Sequence, residues 1–163
     1  MLVPEWSALV DYNYKLRAFR YGFAGEDILL IKRCWTVKPK PYSVGFIHYH
    51  PRKVELPSCN DMSNFVRRFK EGERIFGIHT DYGTIFYIFG EKISGWFPKE
   101  FESVGIMIFG FPRSLRLKLH KWWKEMISEG YIKVVKVKED RSKVGNKVIE
   151  KIVFGGGKDE RNS

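Results

Sequence analysis

Between residues 43 and 70 the chain changes its hydrophobic period once, and that change limits what it can build. Ser43 to His50 alternates at period two, so Val44, Phe46, His48 and His50 fall on one face of a short strand. Pro51 to Pro57 cannot continue that strand and reads as a loop. From Ser58 onward the apolar residues Met62, Phe65, Val66 and Phe69 recur at i, i+3, i+4 and i+7, the stripe of an amphipathic helix. A strand with two histidines on one face is therefore followed, one loop later, by a helix that packs by one side. Asp61 lies at the edge of its buried stripe, and Arg67, Arg68 and Lys70 project elsewhere.

The flanking sequence is read in the same way. Trp6 to Tyr14 is strand-like, and Leu16 to Phe23 and Ile28 to Val37 flank the turn-like Ala24-Gly25-Glu26-Asp27, which predicts a hairpin. Lys38-Pro39-Lys40-Pro41 breaks the pattern. Arg74 to His79 and Thr84 to Phe89, joined through Thr80-Asp81-Tyr82-Gly83, read as a second hairpin, whereas Ile93 to Phe111 is apolar and fits either strand or loop. Leu115, Leu119, Trp122, Trp123 and Met126 then mark an amphipathic helix that Gly130 ends. Tyr131 to Val137 and Lys147 to Phe154 are β-like runs around a charged loop, and Gly155 to Ser163 has the composition of a disordered tail.

With 163 residues, 44% of them hydrophobic, the chain can bury one core and has little room for a second. The apolar runs Ile85 to Phe89 and Ile106 to Phe111 fall far short of the roughly 20 residues of a membrane-spanning helix. Pro4 and Glu5 interrupt any export signal at the start, so the expected location is cytoplasmic, with Cys34 and Cys59 as free thiols. A formal charge of +10 predicts an acidic partner: nucleic acid, anionic lipid or an acidic protein surface.

The pattern that carries chemistry is H-x-H-x(7)-S-x(2)-D, formed by His48, His50, Ser58 and Asp61. Catalytic zinc takes three protein ligands and keeps a fourth position open, and two histidines with one aspartate meet that count. Ser58 and Asp61 also satisfy the S-x-x-D capping box, in which the two side chains serve the orphan amides of the helix start. Capping by this pair and metal ligation are compatible.

The run Gly45-Phe46-Ile47-His48-Tyr49-His50-Pro51, continued by Pro57-Ser58-Cys59-Asn60-Asp61, resembles the signature of the JAMM (MPN-plus, or JAB-domain) zinc metallopeptidases. That resemblance implies an α/β fold of cytidine-deaminase-like type, a curved mixed β-sheet flanked by helices, over residues 1–110. Residues 111–154 would be a basic helix and β-hairpin appendage packed on this core, and 155–163 a disordered tail. One departure is visible: Tyr49 stands between the histidines where the family usually has serine or threonine, and in a strand it points away from the metal face.

By the same resemblance, His48, His50 and Asp61 hold a single Zn2+, a glutamate on an early strand is the general base, and Ser58 steadies the oxyanion. Glu5, followed by Trp6-Ser7-Ala8-Leu9-Val10, matches that strand; Glu26, in the turn Gly25-Glu26-Asp27, is the competing choice. Family members carry a helix before this strand, and its packing role would fall here to another segment, such as the helix after Pro112. Cys59 reads as a buried helix-start residue, His79 and Asp81 as a structural or second-layer pair, and His120 as solvent-exposed.

The implied reaction is hydrolysis of an isopeptide or peptide bond after the C-terminal glycines of a ubiquitin-like or sulfur-carrier protein, a deubiquitinase-like activity. Residues 111–154 hold twelve Lys and Arg against five Asp and Glu, so the appendage is a docking surface or an ordinary solvated face. An alternative within the superfamily is a RadC-like, nucleic-acid-associated protein. The helix and basic hairpin would end a winged-helix-like module, with tryptophans and lysines making the contacts. A third is a non-catalytic MPN scaffold, against which the intact ligand pattern argues.

Overall fold

A computed structural model of the chain describes residues 3–24, 37–49, 56–80, 83–102 and 111–137, with the side chains of 3–5, 21–24 and 137 outside that description. Strands β1 (Val3–Asp11), β2 (Leu16–Ala24), β3 (Ser43–Tyr49), β4 (Ile75–Thr80), β5 (Gly83–Phe89) and β6 (Ile132–Val137) form one sheet in the order β2-β1-β3-β4-β5-β6. Helices α1 (Cys59–Lys70) and α2 (Arg113–Ser128) complete an α/β fold. The sheet is mixed. β3 and β4 run parallel while every other described pair is antiparallel. Parallel neighbours require a crossover, and α1 supplies it.

The hairpin expected around Ala24 to Asp27 lies outside the described residues, which omit 25–36. Within the described residues the sheet opens on a different hairpin, in which β1 turns into β2 through residues 12–15. Asp11 drives this turn: its Oδ1 accepts the backbone amides of Asn13 and Lys15, and its Oδ2 meets Arg17 at 2.6 Å. An aspartate that bonds its own following backbone mimics a turn without glycine or proline. Tyr14, at φ 60, takes the left-handed conformation that the turn needs.

The remaining elements follow their periodicities. α1 buries Met62, Phe65, Val66 and Phe69 as its spacing predicts. β4 and β5 form the predicted hairpin. The ambiguous stretch after Gly90 holds two 3-10 turns, Glu91–Trp96 and Lys99–Glu102, before the undescribed residues 103–110. Gly130, at φ 82, ends α2 in the left-handed conformation that glycine adopts without strain.

One face of the sheet, with Leu9, Phe46, Phe76, Ile78 and Phe89, packs against both helices through Met62, Phe65 and Phe69 of α1 and Leu119, Trp123 and Met126 of α2. Val10, Ile47, Ile75 and Phe86 form a second cluster. α2 and β6 therefore share the central core and sheet, and the appendage expected at residues 111–154 is, over its described part, bonded directly to β5. The charged loop and second β-like run beyond residue 137 lie outside the described residues. Among the described residues no helix is long and apolar enough to cross a membrane.

Close approach of β3 to β4 sets one strict requirement. A Cβ on Gly45 would lie 1.9 Å from the backbone oxygen of Ile75, its partner in the parallel ladder. Backbone cannot rotate away as a side chain can, so Gly45→Ala is expected to destabilise the fold by more than about 2 kcal/mol. A urea unfolding curve measures this; an unchanged midpoint would contradict the packing described.

Candidate metal site

The site begins with the alternation of β3. His48 shares the face of Phe46, on whose ring it stacks at 5.5 Å and 13°, and it stands 6.3 Å from the ring of Phe65 on α1. Tyr49 takes the other face, where it stacks on Trp6 at 6.1 Å and is buried. The tyrosine between the two histidines thus points away from His48, as strand geometry requires.

Asp61 comes from the first turn of α1. Ser58 is the N-cap, its Oγ accepting the amide of Asp61 at 3.1 Å, while Asp61 Oδ2 accepts the amide of Ser58 at 2.9 Å. The capping box is therefore real, and it leaves the second carboxylate oxygen pointing elsewhere. Oδ1 lies 3.5 Å from His48 Nε2, with the two side chains only 21% and 13% exposed.

That separation carries information. A charge-assisted hydrogen bond between imidazole and carboxylate closes to about 2.7–2.9 Å. Two donors sharing one tetrahedral zinc, each at about 2.0 Å, sit roughly 3.3 Å apart. At 3.5 Å the two groups stand farther apart than that bond and slightly wider than two zinc ligands, a spacing that fits a loose imidazole–carboxylate contact as well as a shared ion. His50, the third member of the pattern, lies outside the described residues, as does Glu26. Among the described residues no group of three or more His, Cys, Asp or Glu forms a metal cluster; of the expected ligand set, His48 and Asp61 are the described members, and they lie side by side.

Glu5 lies in β1, paired through its backbone with Gly22, and its side chain is outside the description. Its register position is informative: it is two residues before Ser7, the cross-strand partner of His48. Ser7 itself, buried beside His48, was not anticipated, because only the β1–β3 register reveals the neighbour.

Other expectations resolve variously. Cys59 is a buried free thiol whose Sγ donates weakly to the carbonyl of Arg116. Burial raises its pKa, Arg116 pulls it down and Asp61 pushes it further up. A thiol held protonated is a poor nucleophile, so its packing role suffices. His79 is fully buried on the Tyr49 face, bonded through Nδ1 to Thr84 Oγ1 at 2.7 Å and ringed by Trp6 and Tyr49. It lies on the opposite face of the sheet from His48, packed into that face; Asp81 lies outside the described residues. His120 is half-buried on α2 where full exposure was expected. Of the tryptophans, Trp123 is buried in the core, Trp122 donates to the carbonyl of Trp96, and Trp96 is exposed.

Arg68 is the largest departure from the sequence reading. Expected to project from the buried stripe, it is 3% exposed and clamps the fully buried Glu73 through Nε at 2.6 Å and Nη2 at 3.1 Å. Its Nη1 donates to the carbonyl of Val37, and Ser43 Oγ donates to Glu73 at 2.6 Å. The guanidinium also lies 4.1 Å from the centre of the Phe46 ring, the ring on which His48 stacks. Burial lowers the Arg68 pKa and the bond to Glu73 counters it. The available signal was helical spacing: Arg68 is at i+3 from Phe65 and therefore shares its face.

No protein-family model, curated protein or solved structure matches the chain. The geometry itself offers an imidazole and a carboxylate converging at a strand end and a helix start, held by a cap on one side and aromatic packing on the other.

Removing Glu73 alone would strand a buried guanidinium. Glu73→Ala is expected to cost about 3–5 kcal/mol, and the double variant Arg68→Met/Glu73→Leu clearly less. A loss in the double variant equal to the sum of the Arg68→Met and Glu73→Leu losses in chemical denaturation would show that the pair does not act as a unit.

Proposed function

We propose that this chain is a zinc-dependent hydrolase of JAMM type that cleaves an amide bond, with the metal held by His48, His50 and Asp61. The observation that carries the reading is the 3.5 Å approach of His48 Nε2 to Asp61 Oδ1 across the strand end and the helix start. The donor set fits zinc: two imidazoles and a carboxylate, with one coordination position left open. When bound, zinc supplies a Lewis acid that activates water near neutral pH and polarises the scissile carbonyl.

The chain's own residues do the rest. The Glu5 carboxylate takes a proton from the attacking water and passes it to the departing amine nitrogen, so the bond from carbon to nitrogen breaks without an acyl-enzyme. Ser58 Oγ accepts the amide of Asp61, which leaves its own proton available to donate to the oxyanion, a contribution of about 3 kcal/mol for such a donor. The cap orients Asp61 before any metal arrives, because one oxygen is committed to the backbone of Ser58.

The substrate in this reading is a ubiquitin-like or sulfur-carrier protein cut after its C-terminal glycines, with basic surface steering an acidic partner. A nucleic-acid role is a second reading, favoured by one observation: Arg113, Arg116, Lys121 and Lys124 are exposed on α2 while its apolar stripe is buried. DNA affinity that falls steeply with added salt would support it, and no binding at low salt would remove it.

Metal analysis of the purified chain is expected to give about one zinc per chain, lost in His50→Ala and Asp61→Asn. Asp61→Asn is the informative choice because its amide oxygen still accepts from Ser58, separating loss of metal from loss of the helix cap. Glu5→Gln is expected to keep the metal and lose cleavage of ubiquitin-like fusions. Undiminished turnover would refute the general-base role, and zinc retained by Asp61→Asn would refute the ligand set.

A further inference from the structure

Away from His48, a cavity of about 570 Å3 opens beside the second half of α1. Asn64, Arg67, Arg68 and Glu71, at i, i+3, i+4 and i+7, give it one helical wall, and Arg20, Lys38 and Pro39 give it another. Arg68 is committed to Glu73 and Lys70 to Glu102. Lys38 and Arg67 have no carboxylate partner among the described residues; Arg20 lines the same cavity, and Glu71 is the one acidic residue in its described wall.

Basic residues in the last turn of a helix ordinarily complement its negative end. That explains Arg67 and Lys70 but not Arg20 and Lys38, which reach the same space from β2 and from the segment before β3. Three separate segments converge positive charge on one concavity. We propose that this cavity binds a small molecule carrying two or more phosphate groups, of nucleotide size. Its volume lies within the usual range for small-molecule sites, and arginine's planar fork matches phosphate oxygens. The helix end repels anions, so the side chains supply all of the attraction. Arg67 is six residues beyond Asp61, about 9 Å along the helix axis, so the proposal is independent of the metal reading.

Calorimetric titration of the full chain with inorganic pyrophosphate and with ADP, in low salt with EDTA, tests it. Saturable one-to-one binding is expected, weakened about tenfold by Arg67→Ala or Lys38→Ala and unchanged by Lys121→Ala on α2. All three side chains are exposed, so the folded state should persist, as circular dichroism would verify. Equal affinity for the two probes means that only phosphate is read, and tighter binding of ADP adds a contact to the nucleoside. Non-saturable binding, or equal weakening by Lys121→Ala, would show diffuse charge attraction and overturn the site. An oligonucleotide that displaces pyrophosphate at lower phosphate concentration would assign nucleic acid instead.

Discussion

The buried pair of Arg68 and Glu73 is the interaction on which the arrangement around β3 depends. Taking two charges out of water costs several kcal/mol each, and only dense hydrogen bonding repays it. Here the guanidinium makes two bonds to the carboxylate and one to Val37, while Ser43 completes Glu73. Three segments are tied at once: the end of α1, the approach to β4 and the chain entering β3. The Phe46 ring contacts both Arg68 and His48, so the position of the imidazole is set partly by a pair that it does not touch.

Strand alternation then divides the chemistry. His48 faces α1, and Tyr49, one residue on, faces Trp6 and His79. A slip of one residue in the register between β1 and β3 would exchange these faces and carry the imidazole away from Asp61. The Gly45–Ile75 approach helps fix β3 against β4, because no residue with a Cβ fits that place in the ladder.

Local patterns were legible and distant partnerships were not. The α1 stripe, its capping box, the β4–β5 hairpin and the end of α2 at Gly130 each follow from a few consecutive residues, whose spacing decides the outcome. The β1–β2 turn was missed because a single aspartate, rather than glycine or proline, builds it. Pairing of β6 with β5 joins segments more than forty residues apart, and no local spacing encodes it. The partner of Arg68 was hidden for a related reason: sequence gives the face on which an arginine lies, but only packing shows whether a carboxylate waits there. In the candidate site, the chemical types and the side of the strand were readable, whereas the contact of His48 with Asp61 and the presence of Ser7 required the folded register.

At Asp61 the helix-capping role and the proposed metal-ligating role would reinforce each other. A carboxylate that only capped the helix would need to satisfy the Ser58 amide and nothing more, and its second oxygen would be best placed in water. Here that oxygen is turned toward an imidazole, in a site that is mostly buried. The cap therefore removes much of the rotational freedom that a ligand would otherwise lose on binding a metal, which lowers the entropic cost of assembling the site. A positive ion at a helix N-terminus meets the unfavourable end of the helix dipole, and a carboxylate in the first turn is the residue that offsets it. Capping, which the fold shows, and ligation, which is proposed, thus place the same demand on this position: a short acid at the third residue of α1.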